Sequence, residues 1–208
     1  MLVKIQKTDT SVLAVWKVTE SRDELLSELE RTYFLERDVL SLSTESRQIE
    51  RLAVRVLLKK ILGKEVSIEY EKSDKPYLTD ASYNISISHT KDYVAVFLDE
   101  EKHVGIDIEK ISEKVKRIKS RFISDREHID AANELVHLLL HWSAKEAMFK
   151  VLNEEGVNLK EHLQIGVFSP QKSGFFYANE TRTNERKTFC VNYEVSDDYV
   201  LTWLSSEN

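Results

Sequence analysis

Two seven-residue segments, 92–98 (DYVAVFL) and 198–204 (DYVLTWL), resemble each other, and each closes a stretch that runs long helix, strand, further strands. Tyr, Val and Leu are common in strands of any origin, so seven residues alone would carry little. The repeated order of elements carries more: it points to a duplicated α+β unit, with halves at 1–101 and 102–208 and no flexible linker between them. With 5 Gly and 2 Pro in 208 residues, neither half reads as collagen-like, low-complexity or disordered chain.

The local signals fit that scheme. Residues 12–18 (VLAVWKV) read as an apolar strand and 20–35 as a helix with leucines at 25, 26 and 29. Thr44 reads as the N-cap of a second helix, with apolar positions 49, 52, 53, 56, 57 and 61 and Gly63 as its stop. Strands are expected at 66–70, 83–88, 93–98 and 103–109, a long helix over 124–152, and closing strands at 163–168, 188–195 and 199–204. The order of elements indicates a mixed α/β or α+β fold, and the repeat favours α+β. No apolar run reaches the ~18 residues of a membrane span and the first residues do not form a signal peptide, so a cytoplasmic protein without a membrane partner is expected. The single cysteine, Cys190, reads as a core thiol.

Charge narrows the partners. The chain is −6 overall, yet residues 110–121 (KISEKVKRIKSR) hold six basic residues and one acidic one, +5, which leaves −11 for the remainder. A surface that grips nucleic acid everywhere is excluded. One basic patch on an acidic body suits an acidic protein partner, although a solvated helical face gives the same run.

Candidate chemistry begins in HVGIDIEK. In a strand, Val104, Ile106 and Ile108 share one face and Gly105, Asp107 and Glu109 the other, so two carboxylates stand side by side with an apparent gap at Gly105 for a ligand. An ordinary amphipathic strand gives the same pattern. In the following helix Leu135, Leu138, Leu139, Trp142 and Phe149 form an apolar stripe with Glu146 near its centre, flanked by Lys145 and Lys150. A carboxylate there is costly unless compensated. The competing pattern is a capping box, Ser143-x-x-Glu146, but LVHLLLHW upstream shows no break. Three carboxylates on two elements make a hard oxygen site suited to Mg²⁺. His137 and His141 have the i, i+4 spacing of zinc ligands, yet they lie opposite the stripe without a third soft ligand and read as solvated. Upstream, Ser88 and His89 stand at a strand end, and Lys75-Pro76-Tyr77 forms a kink that equally describes a plain loop.

In this order KPY, ISISHT, VGIDIE and WSAKEAMFK resemble the signature of the 4′-phosphopantetheinyl transferases of the surfactin-synthetase-activating type, over residues 75–150. The 34 residues between Asp107 and Trp142 are short for that family, which concerns the shape of the intervening region and not the metal site. The resemblance implies a pseudo-duplicated fold with the active site in the cleft between two similar halves. It implies that Asp107, Glu109 and Glu146 hold Mg²⁺, with Glu146 and Lys150 catalytic. For the co-substrate coenzyme A it implies Lys145 and Lys150 at the phosphates, Ser88 and His89 at the nucleotide end, Lys75 and Pro76 near the adenine, and Arg47 or else Arg51 at the 3′-phosphate. The implied partner is an apo acyl or peptidyl carrier protein of fatty-acid, polyketide or nonribosomal peptide synthesis, modified by a monomeric enzyme. The alternatives are a two-metal phosphodiesterase or exonuclease, which would need a further acidic ligand beyond Asp125 and Asp130 and a basic track, and a non-catalytic coenzyme A or carrier-binding module.

Overall fold

A computed structural model describes residues 1–30 and 35–206. The chain divides into two compact units, Met1–Glu101 and Lys102–Asn208, each with its own apolar core. Both are mixed α+β.

The first unit holds an antiparallel sheet built from β1 (Leu2–Lys7), β2 (Ser11–Lys17), β5 (Asn84–Thr90) and β6 (Tyr93–Asp99), in the order β1-β2-β6-β5. A small hairpin of β3 (Ile68–Tyr70) and β4 (Pro76–Leu78) stands apart. The helix α1 (Arg22–Ser27) packs on α2 (Glu45–Leu62), which packs on β2 and β6. Leu52, Val56, Leu57 and Ile61 of α2 join Ala14, Trp16, Val94, Val96 and Leu98 of the sheet in the core. The ends of α2 follow the sequence: the Thr44 side chain accepts from Arg47 N–H, and Gly63 closes the helix at φ 73°, where a Cβ would be strained.

The expected helix over 20–35 is shorter. It begins with a reciprocal capping box between Ser21 and Glu24 and ends at Glu28, with Leu25 its one buried residue, and residues 31–34 lie outside the described residues. Two strands of this unit, and Ser173–Glu180 of the second, were not among those the sequence led us to expect. β1 is exposed on both faces, so it lacks alternation, and β4 begins at Pro76, where a kink was expected.

The second unit contains β7 (His103–Lys110), α3 (Lys114–Phe122), a 3-10 turn (Ala131–Asn133), α4 (Glu134–Leu152), β8 (Leu163–Ile165), β9 (Ser173–Glu180), β10 (Thr188–Val195) and β11 (Tyr199–Ser206). Its five strands pair antiparallel in the order β7-β11-β10-β9-β8, and α4 lies across β7 and β11. The expected 124–152 helix begins ten residues later, because the Asp130 side chain accepts from Ala132 N–H and stops the preceding loop in a 3-10 turn. The basic run forms α3, with Val115 and Phe122 buried. Cys190 is not a core thiol: it lies on the exposed face of β10, opposite Tyr177, while Phe189 and Val191 face the core.

The two resembling segments occupy the same place in their own sheets. β6 sits between β2 and β5, and β11 sits between β7 and β10. Tyr93 pairs with Lys17 and Tyr199 with Lys110. Val18 N–H donates to Asp92 O at 2.8 Å, and Ile111 N–H donates to Asp198 O at 2.9 Å.

Candidate active site

The polar face of β7 is covered by α4. Gly105 does not leave room for a ligand: a Cβ there would lie 2.1 Å from the Ala147 carbonyl oxygen and 2.7 Å from Val151 Cγ2. The missing side chain lets the helix backbone seat directly on the strand. That contact aligns Asp107 and Glu109 with the helix residues beyond it. Trp142 Nε1 donates to Glu109 Oε1 at 2.7 Å, and Ser143 Oγ donates to Asp107 O at 3.2 Å and shares a hydrogen bond with Thr202 Oγ1 at 2.8 Å. Lys150 Nζ donates to Ile106 O at 2.8 Å and to Asp107 Oδ1 at 3.0 Å. Ser143 is buried in mid-helix, so the capping-box reading does not hold.

Glu146 belongs to the same electrostatic group. Burial, followed by the neighbouring Asp107 charge, pushes its carboxyl above the ordinary range. Burial and Asp107 also push Glu109 up to about 7, against the hydrogen bond from Trp142. Such crowding is what a bound cation relieves. Among the described residues no three His, Cys, Asp or Glu side chains form a ready-made metal cage; Lys150 engages Asp107 Oδ1 and Trp142 engages Glu109 Oε1. The donor set itself, carboxylate oxygens alone, fits a hard divalent ion of the Mg²⁺ type.

The first unit carries a cavity of about 450 Å³ lined by Arg47, Glu50, Arg51, Tyr70, Pro76 and His89, among others. Arg47 stands exposed in the first turn of α2, where the helix dipole favours an anion. The Arg51 guanidinium lies 4.0 Å from the centre of the Tyr70 ring, and burial lowers its pKa. His89 Nδ1 is 3.5 Å from Glu50 Oε2. Thus Arg47, Arg51, Pro76 and His89 come together. Ser88 is buried on the other face of β5, as strand alternation requires, and Lys75 is not part of the cavity lining.

The chain is similar to a family model described as the 4′-phosphopantetheinyl transferase superfamily, over residues 103–204. It is 32% identical over 169 residues to a Haemophilus influenzae protein that carries a 4′-phosphopantetheinyl transferase name, covering 74% of this chain and 68% of that one. The chain belongs to the 4′-phosphopantetheinyl transferase superfamily. It is also 27% identical over 139 residues to the Xenopus laevis L-aminoadipate-semialdehyde dehydrogenase-phosphopantetheinyl transferase, covering 54% of this chain and 45% of that protein, so it spans under half the length of this relative.

Within this transferase-family chain, three expectations about α4 need correction. Lys145 does not reach the carboxylates: it is fully buried, and its Nζ donates to Phe122 O at 2.5 Å and to Glu127 Oε2 at 2.8 Å. Glu127 also accepts from Ser124 N–H at 2.9 Å and from Ile165 N–H at 2.9 Å. An ammonium so enclosed cannot touch a phosphate. His137 and His141 are likewise fully buried, packed against Phe168, and burial lowers His141 to about 3. Phe149, placed in the apolar stripe, is 41% exposed. The helical wheel failed because α4 is enclosed on nearly all sides and has no single polar face. Arg51 and Tyr70 became cavity partners through the β3–β4 hairpin; a strand ending at Tyr70 was expected, its pairing with β4 was not.

Proposed function

We propose that the protein transfers the 4′-phosphopantetheine group of coenzyme A to a serine of an apo acyl or peptidyl carrier protein and releases adenosine 3′,5′-bisphosphate. The observation that carries this reading is the clustering of Asp107, Glu109 and Glu146 beside Lys150, where β7 meets α4. Asp107, Glu109 and Glu146 would hold Mg²⁺, which supplies charge neutralisation of the diphosphate and polarisation of its β-phosphorus. Glu146, made more basic than an ordinary carboxylate by burial and by Asp107, takes the proton of the carrier serine as its oxygen attacks that phosphorus. The bond from the phosphorus to the bridging diphosphate oxygen breaks, and that oxygen leaves with the nucleotide. Lys150 turns from Asp107 to the negative charge developing there.

The cavity of the first unit offers the nucleotide end what it needs. Arg47 stands at a helix N-terminus for the 3′-phosphate, and Pro76, Tyr70 and His89 offer flat surface for the adenosine. Lys75 and Ser88 belong to the polypeptide around that cavity and not to its lining. The surfactin-synthetase-activating subtype is favoured because one chain holds two α+β units, each with its DYV strand flanked on both sides in an antiparallel sheet, as a duplication would leave them. One chain supplies every residue invoked, so the reading requires no second copy. The carrier would meet Lys114, Arg117 and Arg121, exposed on α3; Lys116 and Lys119 are partly neutralised by Glu113 and Glu134.

The test is chromatographic detection of adenosine 3′,5′-bisphosphate after incubation with coenzyme A. Release that depends on both an apo carrier and a divalent cation supports the reading. Release without carrier points to a phosphodiesterase, and binding of coenzyme A without release points to a non-catalytic module.

A further inference from the structure

Lys145 stands next to Glu146 in sequence, yet its ammonium is fully buried and occupied. Burying a Lys–Glu pair is expensive, and an apolar pair of similar volume often stabilises a protein as well or better. The arrangement therefore calls for a reason beyond stability. Its partners supply one. Lys145 Nζ fixes the carbonyl of Phe122, the last residue of α3. Glu127 ties the same ammonium to the backbone of Ser124 and of Ile165 at the end of β8. The Phe122 ring, fully buried, meets the Trp142 indole edge-on with centroids 5.3 Å apart. The Trp142 indole N–H in turn holds Glu109 Oε1 at 2.7 Å. Each link is a single-geometry contact, and together they run from the buried ammonium to a carboxylate of the acidic cluster.

We infer that Lys145 is a positioning residue: paired with Glu127, it sets the Phe122 ring against Trp142 and thereby aims the Glu109 carboxylate at a bound divalent cation. This rests on the cation site of the proposed function. Outer partners that orient metal ligands commonly change metal affinity 10–100-fold when removed, and Lys145 would act at one further remove through packing. A lysine one residue before a ligand is easily read as a phosphate contact; here it serves the ligand set from behind.

The test removes both charges and keeps the volumes. Lys145→Met/Glu127→Gln avoids leaving a buried charge alone, and circular dichroism with a thermal melt establishes that it folds. Two readouts follow on the folded double variant. The first is the ¹⁵N–¹H resonance of the Trp142 indole in cation-free protein, assigned by its loss in Trp142→Phe. The second is the midpoint of a Mn²⁺ titration followed by electron paramagnetic resonance. The inference expects the indole resonance to shift or broaden and the Mn²⁺ midpoint to rise by about tenfold, with Trp142→Phe raising it similarly. An unshifted indole resonance, or an unchanged midpoint, would overturn it and leave Lys145 a stability residue. Should Lys145→Met/Glu127→Gln fail to fold, Phe122→Leu, which keeps the ion pair and removes the ring, gives the same two readouts with the same consequences. If the unaltered protein binds no Mn²⁺, the cation site falls, and this inference falls with it; binding in the unaltered protein with no change in the variants overturns the positioning role alone.

Discussion

Lys150 Nζ lies 3.0 Å from Asp107 Oδ1, with the lysine side chain 28% exposed and the aspartate 7%. The pair makes Asp107 both the source of repulsion felt by Glu109 and Glu146 and the acceptor that keeps Lys150 at the site. Asp107→Asn relieves the first and weakens the second, so the two effects oppose each other. The cation-free melting free energy should stay within about 1 kcal/mol of the unaltered protein, while cation binding is lost. Calorimetric titration with Mg²⁺ beside a thermal melt checks both; normal Mg²⁺ binding in folded Asp107→Asn would remove Asp107 from the ligand set.

Glu109 gives a pH dependence of definite sign. Its folded pKa of about 7 lies above the 4.5 of an unperturbed glutamate, so between these values the folded chain holds more protons than the unfolded one. Its contribution to cation-free stability is fully present below pH 4.5 and is lost as pH rises through 7. A divalent cation must displace that proton, so apparent affinity should climb as pH approaches 7 and level off above it. Titrations at several pH values check this, and Glu109→Gln should reduce the climb to the part that the raised Glu146 carboxyl supplies. A flat profile in the unaltered protein would mean that Glu109 does not bind the cation.

His141 acts in the opposite direction. Burial lowers it to about 3 from 6.5, so between those values the unfolded chain holds the extra proton. Its stabilising share is present above pH 6.5 and is lost as pH falls, by up to about 1.4 kcal/mol per pH unit. His137 is shifted the same way. Melting curves from pH 4 to 7 should show His141→Leu with a shallower acid limb than the unaltered protein, whatever its stability at pH 7. Parallel limbs would show that this buried imidazole is not what the acid attacks.

Arg47 and Arg51 line one cavity but differ in engagement. Arg51 is spread over the Tyr70 ring, whereas the Arg47 side chain stands exposed at the start of α2. Arg47→Ala should therefore weaken coenzyme A binding by about tenfold, in line with the 1.5–3 kcal/mol of a charge-assisted contact partly screened by water. It should leave binding of 3′-dephospho-coenzyme A nearly unchanged. Equal losses for the two ligands would move the 3′-phosphate to Arg51.

Much of this was legible in the sequence where local chemistry decides the outcome. Thr44 and Gly63 delimit α2 because capping and a left-handed φ act within one turn. Strand alternation put Asp107 and Glu109 on one face. What was not legible depended on contacts distant in the chain. Gly105 looked like space for a ligand because the strand alone cannot reveal that Ala147 of α4 fills it. Lys145 looked like a phosphate contact, and His137 and His141 looked solvated, because a wheel supplies only one polar face, while Phe122, Glu127 and Phe168 enclose them from other elements. Of the β3–β4 hairpin only β3 was expected; β4 has three residues, too few for a periodic signal.

The central claim is that Glu146 activates a carrier serine toward coenzyme A, and the most direct measurement is the intact mass of an apo carrier protein after incubation with coenzyme A, Mg²⁺ and either the unaltered protein or Glu146→Gln. The unaltered protein should add the mass of 4′-phosphopantetheine at the serine, and folded Glu146→Gln should add it at least about 100-fold more slowly while still binding coenzyme A. A carrier that keeps its apo mass with the unaltered protein, across acyl and peptidyl carriers alike, would contradict the account, as would Glu146→Gln acting at the full rate.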